Sequence, residues 1–206
     1  EIESRYGNMV RIVNDTFNGG WGFTSSRDQG RYWLSWPNCE NQYDGFTYWS
    51  RISGRGKVIL DGDFTIMHSY KTPAEKEFAI SIQLIAGGPI AVTDQYCTIG
   101  DGDVAYCTNE EMLALNKDRF VGKPLDATLM SPGSNIWYGQ MTNGDYIIGL
   151  FNREDEPKKF DVSFAELGIA GEMKVRDLWK HVDEGVASAI NAEVEPHGCK
   201  IVRLSK

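Results

Sequence analysis

Residues Met9–Phe17 read MVRIVNDTF, and the fold turns on how that stretch is taken. Met9, Val10, Ile12 and Val13 form a short apolar run, broken by Arg11 and closed by Asn14 and Asp15. Such a run suits a buried strand and is too short for a helix. A Gly-rich loop, Asn18-Gly19-Gly20-Trp21-Gly22, follows at once. Side chains alternate along a strand, so Arg11, Val13 and Asp15 share one side. A cation and a carboxylate then look into one cavity at the end of a buried strand, where barrel enzymes keep their chemistry. The plainer reading is an Arg–Asp pair that closes a strand end. The segments downstream favour the first.

Lys57–Leu60 repeats the pattern, an apolar run that exits into Asp61-Gly62-Asp63. Thr72-Pro73-Ala74-Glu75 reads as a helix start, with Thr72 as cap, Pro73 first and Glu75 third. Phe78, Ile82, Ile85 and Ala86 follow at helical spacing, and Gly87-Gly88-Pro89 ends the helix. Ile90–Thr93 is a third short buried strand, and it leads into Asp94. Strand, loop, strand, helix, strand, with carboxylates at three exits, predicts parallel strands with active-site loops at their C-terminal ends. The long stretch 18–57 carries Gly at 19, 20, 22, 30, 45, 54 and 56, with Trp21, Trp33, Trp36, Tyr43, Phe46, Tyr48 and Trp49 between them. It reads as the wall of a carbohydrate cleft or as an insertion packed by its own aromatics, with a short strand or helix near Phe46–Ile52. Thr108–Leu115 is a second helix, capped by Thr108 with Glu111 at the third position.

Residues 120–134 are loop-like, with Gly122, Pro124, Pro132 and Gly133. After them come short alternating or apolar runs: Asn135–Gln140, Tyr146–Asn152, Lys158–Val162, Met173–Asp177 and Lys200–Leu204, with Ser188–Glu195 a weaker candidate. Asn143-Gly144-Asp145 is a hairpin signal between two of them. Phe164–Gly168 reads as one helical turn with a Gly stop. This texture is that of an antiparallel sandwich.

The net charge of −8 and the scattered Lys and Arg argue against a nucleic-acid partner. There is no apolar run of about 18 residues, which argues against a membrane partner. Cys39, Cys97, Cys107 and Cys199 form no CxxC or Cys/His cluster, so no metal and no cofactor is called for. Cys97 and Cys107 could pair in an oxidising compartment, but other pairings stay open. The location is open too, with a secreted or periplasmic one favoured. Six Trp and nine Tyr suit stacking on sugar faces, although aromatics are also ordinary core material.

Together these pieces resemble the C-terminal half of the melibiase-type glycoside hydrolases, family 27, the clan of α-galactosidases and α-N-acetylgalactosaminidases. Arg11-Ile-Val-Asn-Asp15 resembles the family's R-x-x-x-D segment at the end of the sixth barrel strand. Asp61-Gly-Asp63-Phe64 resembles its D-P-D-M segment after the seventh, with Gly and Phe in place of Pro and Met. Ile80–Asp94 resembles the helix and eighth strand, and Glu110–Asp118 the E-V-I-A-I-N-Q-D segment. Asp177-Leu-Trp179 and Glu195-Pro-His-Gly198 resemble marks of the C-terminal sandwich.

The resemblance implies α/β plus all-β architecture: the last strands of a (β/α)8 barrel followed by an antiparallel β-sandwich. Residues 1–120 would be barrel, 121–134 a linker and 135–206 the sandwich. It implies a retaining exo-glycoside hydrolase with Asp15 as acid/base and with Arg11, Asp63 and Phe64 binding substrate. Arg11 would fork onto a sugar hydroxyl and the nucleophile. That nucleophile would lie upstream, in a Y/K-x-D segment with no equivalent after Glu1, so the remaining barrel half is an implied partner. The carbohydrate substrate led by this reading is an α-galactoside. α-N-acetylgalactosaminide, β-L-arabinopyranoside and isomaltose-type substrates compete with it. The alternative is a non-catalytic carbohydrate-binding module. Asp94 reads as structural, and His181 and His197 as turn or core histidines.

Overall fold

The computed structural model describes residues 5–16, 19–21, 24–25, 35–36 and 38–206, with only the backbone for 24–25 and 35–36. Phe17, Asn18, Gly22, Gly30 and Trp33 of the sequence reading lie outside these residues.

Strand β1 is Met9–Arg11, and β2 (Thr24–Ser25) pairs antiparallel with β3 (Ser35–Trp36). Helix α1, Cys39–Trp49, is capped by the Asn38 side chain, which accepts from Glu40 N–H at 3.2 Å. Cys39, Gln42, Tyr43 and Phe46 fall at helical spacing and are all buried. The helix thus begins well before the expected Phe46–Ile52, where only its end and a 3₁₀ turn, Ser50–Ile52, are found. Tyr43 and Phe46 are core residues, not cleft wall.

Strand β4, Ile59–Asp61, runs parallel to β1 in the register Met9↔Ile59 to Arg11↔Asp61. Ile12 N–H adds a bond to Asp61 O at 3.0 Å. The expected third strand, Ile90–Thr93, is reduced to one parallel bridge between Thr65 and Val92. The backbone at Asp63, φ +68°, breaks β4 before Thr65, so the ladder cannot lengthen.

Helix α2, Pro73–Ile85, carries the predicted capping box between Thr72 and Glu75. Every residue from Phe78 to Ile85 is buried, as expected of a helix enclosed on all sides. Gly87 ends it with φ +79°, and Gly122 N–H satisfies the Ile85 carbonyl at 2.7 Å. Helix α3, Asp101–Thr108, was not anticipated; α4 is Glu110–Lys117. The expected cap Thr108 is therefore the last residue of α3, where its hydroxyl donates to Val104 O at 2.9 Å. Asn109 caps α4 instead, accepting from Glu111 and Met112 N–H at 3.0 and 3.1 Å.

The remaining strands are β5 (Lys123–Pro124), β6 (Ile136–Gln140), β7 (Tyr146–Phe151), β8 (Lys158–Ser163), β9 (Met173–Asp177), β10 (Val182–Ala187), β11 (Ala189–Val194) and β12 (Cys199–Ser205). They form an antiparallel sheet in the order β10-β9-β12-β7-β6-β5, and β11 pairs with β8 in a second. Strand β5 falls within residues 121–134. Alternation in β7 explains the layering. Ile147 and Phe151 face α2, while Ile148 and Leu150 face the core shared with β8 and β11. A strand covered on both faces reads as the continuous apolar run YIIGLF.

One core joins the two halves. Tyr43, Phe78 and Phe151 meet with ring centroids 5.1–5.3 Å apart. The Tyr43 hydroxyl donates to Ser134 O at 2.7 Å, and Trp137 Nε1 donates to Tyr43 Oη at 3.0 Å. Arg176 of β9 forks onto Glu111 of α4, with two bonds of 2.7 Å. All four cysteines are free thiols, so no Cys97–Cys107 pair is formed. Among the described residues, no helix is long and apolar enough to cross a membrane.

Two predictions follow from this packing. A Cβ on Gly87 would stand 2.9 Å from Phe120 O, in a backbone region that disfavours L side chains. Gly87→Ala should cost about 2 kcal/mol, read as a roughly 4–8 °C lower Tm. The Glu111 carboxyl is held down to about 2, first by its bonds to Arg176, against an ordinary 4.5. A depressed folded-state pKa contributes stability that is present above about pH 4.5 and is lost as pH falls toward 2. In urea titrations the gap between wild type and Glu111→Gln should be full at pH 6 and shrink steadily toward pH 2.5.

Candidate active site

The two parallel strands deliver their exits to one place. The Arg11 guanidinium, on the last residue of β1, forms ion pairs with both Asp15 and Asp63. The Asp15 contact is 3.2 Å. Asp63 is only 4% exposed and also accepts from Thr16 N–H at 2.5 Å. The Asp15 side chain is 73% exposed. Asp63 takes a left-handed backbone, and its N–H donates to Asp61 Oδ1 at 2.9 Å. That turn swings its carboxylate back under β1.

Arg11, Asp15 and Asp63 therefore meet, and the Arg–Asp pair of the plainer reading is formed. Arg11 grips both carboxylates while its side chain stays 39% exposed. Strand alternation does not reach Asp15, because β1 ends at Arg11 and the chain bends back. Phe64 follows directly and is 45% exposed.

Gln42 was missed. From the buried face of α1 its Nε2 donates to Gly62 O at 2.8 Å, Phe64 O at 2.9 Å and Thr16 Oγ1 at 3.3 Å. It ties both loops to the helix. The signal was present: one amide within an otherwise apolar stripe, Cys39, Tyr43 and Phe46.

Asp94 has the structural role expected. Met67 and His68 N–H donate to it at 2.7 and 2.9 Å, and His68 Nδ1 lies 2.6 Å away. Burial alone would raise its pKa, but these bonds outweigh burial and hold it below the usual carboxylate value. His181 binds Glu111 in a turn.

A cavity of about 470 Å³ opens beside Arg11, lined by Val10, Ile12, Asn14, Asp44 and Trp49 among others. Asp15 and Asp63 do not line it. Among the described residues, no group of three His, Cys, Asp or Glu side chains is placed to hold a metal ion.

Removing the Asp63 carboxylate would leave Thr16 N–H without its acceptor and Arg11 with its exposed pair to Asp15. Asp63→Ala should cost about 2–4 kcal/mol in urea unfolding, toward the low end because Arg11 is partly solvated. Asp63→Asn, which tolerates the backbone and keeps one acceptor, should cost less.

Residues 131–204 match the alpha galactosidase C-terminal beta sandwich domain family. The chain is 41% identical to the isomalto-dextranase of Arthrobacter globiformis over 209 residues, covering 97% of this chain and 32% of that protein. It is 24% identical to alpha-galactosidase A of Aspergillus niger, covering 83% of this chain and 32% of that one. Among solved structures, the Arthrobacter globiformis isomalto-dextranase complexed with panose superposes with a TM-score of 0.79 at 36% identity, over 97% of this chain and 35% of that one. Alpha-galactosidase I of Mortierella vinacea shares the fold, with a TM-score of 0.79 at 18% identity over 98% of this chain and 54% of that one. The chain thus spans about a third of the length of the curated relatives it matches first. Residues 131–204 thus match the C-terminal β-sandwich family, and the chain as a whole is similar to the C-terminal part of melibiase-type glycoside hydrolases, with the closing β/α units of a (β/α)8 barrel ahead of that sandwich.

Proposed function

We propose that these residues are part of a retaining glycoside hydrolase in which Asp15 is the acid/base and Arg11, Asp63 and Phe64 bind and orient the sugar. The observation that carries this reading is the single guanidinium joining an exposed and a buried carboxylate at the C-terminal ends of parallel strands. Asp63 is buried and committed to Arg11 and Thr16, so it is poorly placed to reach a leaving group. Asp15 is exposed and held by Arg11, so its carboxyl is open toward the space a leaving group would occupy. A retaining enzyme sets its two carboxyl groups about 5–5.5 Å apart. On this reading the nucleophile comes from the remaining barrel half, packed along the edge of β1 away from β4. Residues 1–120 then complete the barrel, 121–134 link the halves while lending β5 to the sandwich sheet, and 135–206 form the rest of the sandwich.

The 41% identity to an isomalto-dextranase favours an α-linked glucan as substrate, ahead of the α-galactoside that led the sequence reading. Likeness to α-galactosidases, at 28% and 24%, keeps an α-galactoside as the second reading.

The whole protein that carries these residues should release sugar from dextran with retention at the anomeric carbon, followed by NMR of the fresh product. Turnover of aryl α-galactosides but not dextran would select the second substrate. Sugar binding without hydrolysis would favour the non-catalytic module. Asp15→Asn should cost roughly 10²–10⁴-fold on alkyl or glucan leaving groups, and much less on an activated aryl glycoside, which needs little protonation. Equal losses on both would mean that Asp15 is not the acid.

A further inference from the structure

His197, in the sandwich, has no part in the chemistry proposed above, yet it reaches the loop that follows Asp15. It sits in a turn closed by Gly198 N–H donating to Glu195 O at 3.0 Å. Asn152 braces this turn, its Nδ2 donating to the carbonyls of Val194 and Glu195 at 3.0 Å each. His197 itself takes φ +53°, a left-handed backbone that non-glycine residues adopt at a cost. The imidazole is thereby aimed into the barrel half, where it stacks on Trp21 with centroids 4.5 Å apart and planes 16° apart. The Trp21 ring in turn meets Phe78 of α2 at 4.8 Å. Nδ1 stands 3.7 Å from Glu75, the capping residue of α2. Nε2 lies 3.1 Å from the exposed Asp155 without an aligned hydrogen bond, so stacking, not a polar bond, is the ring's main contact.

Past Asp15, the described backbone is tied down in sequence. Thr16 N–H goes to Asp63, Gly19 N–H goes to Ser69 Oγ at 2.8 Å, and Trp21 goes under His197. The first two ties are local to the barrel half. The third comes from the sandwich.

We propose that His197 is a positioning residue for the Asp15 loop: its stack on Trp21 fixes the loop's far end and so the reach of the Asp15 carboxyl toward the leaving group. This inference rests on Asp15 being the acid. A misplaced acid slows proton transfer while leaving ground-state binding largely intact, so the signature is in kcat rather than KM.

The test uses the whole enzyme, with kcat and KM on an alkyl and an activated aryl glycoside beside thermal melts. His197→Asn suits the left-handed backbone and removes the stack. It should keep KM within about twofold and lower kcat on the alkyl substrate roughly tenfold, with a smaller loss on the aryl one. His197→Phe, worse for the backbone but able to stack, should recover most of that rate even if its Tm is lower. Trp21→Leu should reproduce the loss, and the double variant Trp21→Leu/His197→Asn should be no slower than either single one. A wild-type kcat in folded His197→Asn or Trp21→Leu, or a folded Phe variant as slow as the Asn one, overturns the inference. If Asp15→Asn still discriminates between leaving groups in that case, the acid assignment survives. If Asp15→Asn is without effect, both fall.

Discussion

A carboxylate withdrawn from water must be met by charge or by hydrogen bonds, and the barrel end of this structure is arranged around meeting that need at Asp63. Arg11 and Thr16 N–H supply the partners, one from the last residue of β1 and one from the loop beyond it. That requirement holds β1 and β4 in register, draws the first loop over the second strand exit and keeps Asp63 in a left-handed backbone. It also gives Asp15 its order. An exposed Arg–Asp pair four residues apart is worth little by itself. Here its cationic half is already fixed by the buried carboxylate, so Asp15 meets a guanidinium whose entropy has been spent elsewhere.

Much of the fold was legible because its signals are local. Thr72 and Glu75 announce α2, and the capping box forms as read. Asn143-Gly144-Asp145 announces the β6–β7 hairpin, with Gly144 at φ +95°. What failed was less local. Helix α3 buries no residue, so it leaves no apolar stripe to detect. Strand β10 is an edge strand, exposed along nearly its whole length, and lacks alternation for the same reason. Ile90–Thr93 has the composition of a strand, but ladder length depends on the neighbour, and the neighbour is broken at Asp63.

The site divides in the same way. Arg11, Asp15 and Asp63 were readable as charged residues at strand exits. The grip of Arg11 on Asp15 was read only as the plainer alternative, an Arg–Asp pair closing the strand end, and it forms as the chain bends after a three-residue strand. Gln42 was visible only as an amide out of place in an apolar stripe. The stack of His197 on Trp21 joins residues at opposite ends of the chain, and neither carries a local mark of the other.

The sandwich is also not a separable attachment. One face of its larger sheet packs on β8 and β11, and the other, through Trp137, Ile147, Phe151 and Ile201, is paved by α1 and α2. Detaching it would expose four large apolar side chains that are fully buried. At about 1.5–3 kcal/mol for each such side chain, the two parts stay docked rather than swinging on a linker. The hydrogen bonds of Tyr43 and Trp137 fix how they dock, as apolar burial alone would not. A domain held this firmly shares its strain with its neighbour. The elements it grips, α1 through Tyr43 and the Asp15 loop through Trp21, are those that carry Gln42 and follow Asp15. Packing in the sandwich and the elements behind the strand exits therefore share one core, and on the proposal made for His197 a change in that core should be felt at Asp15.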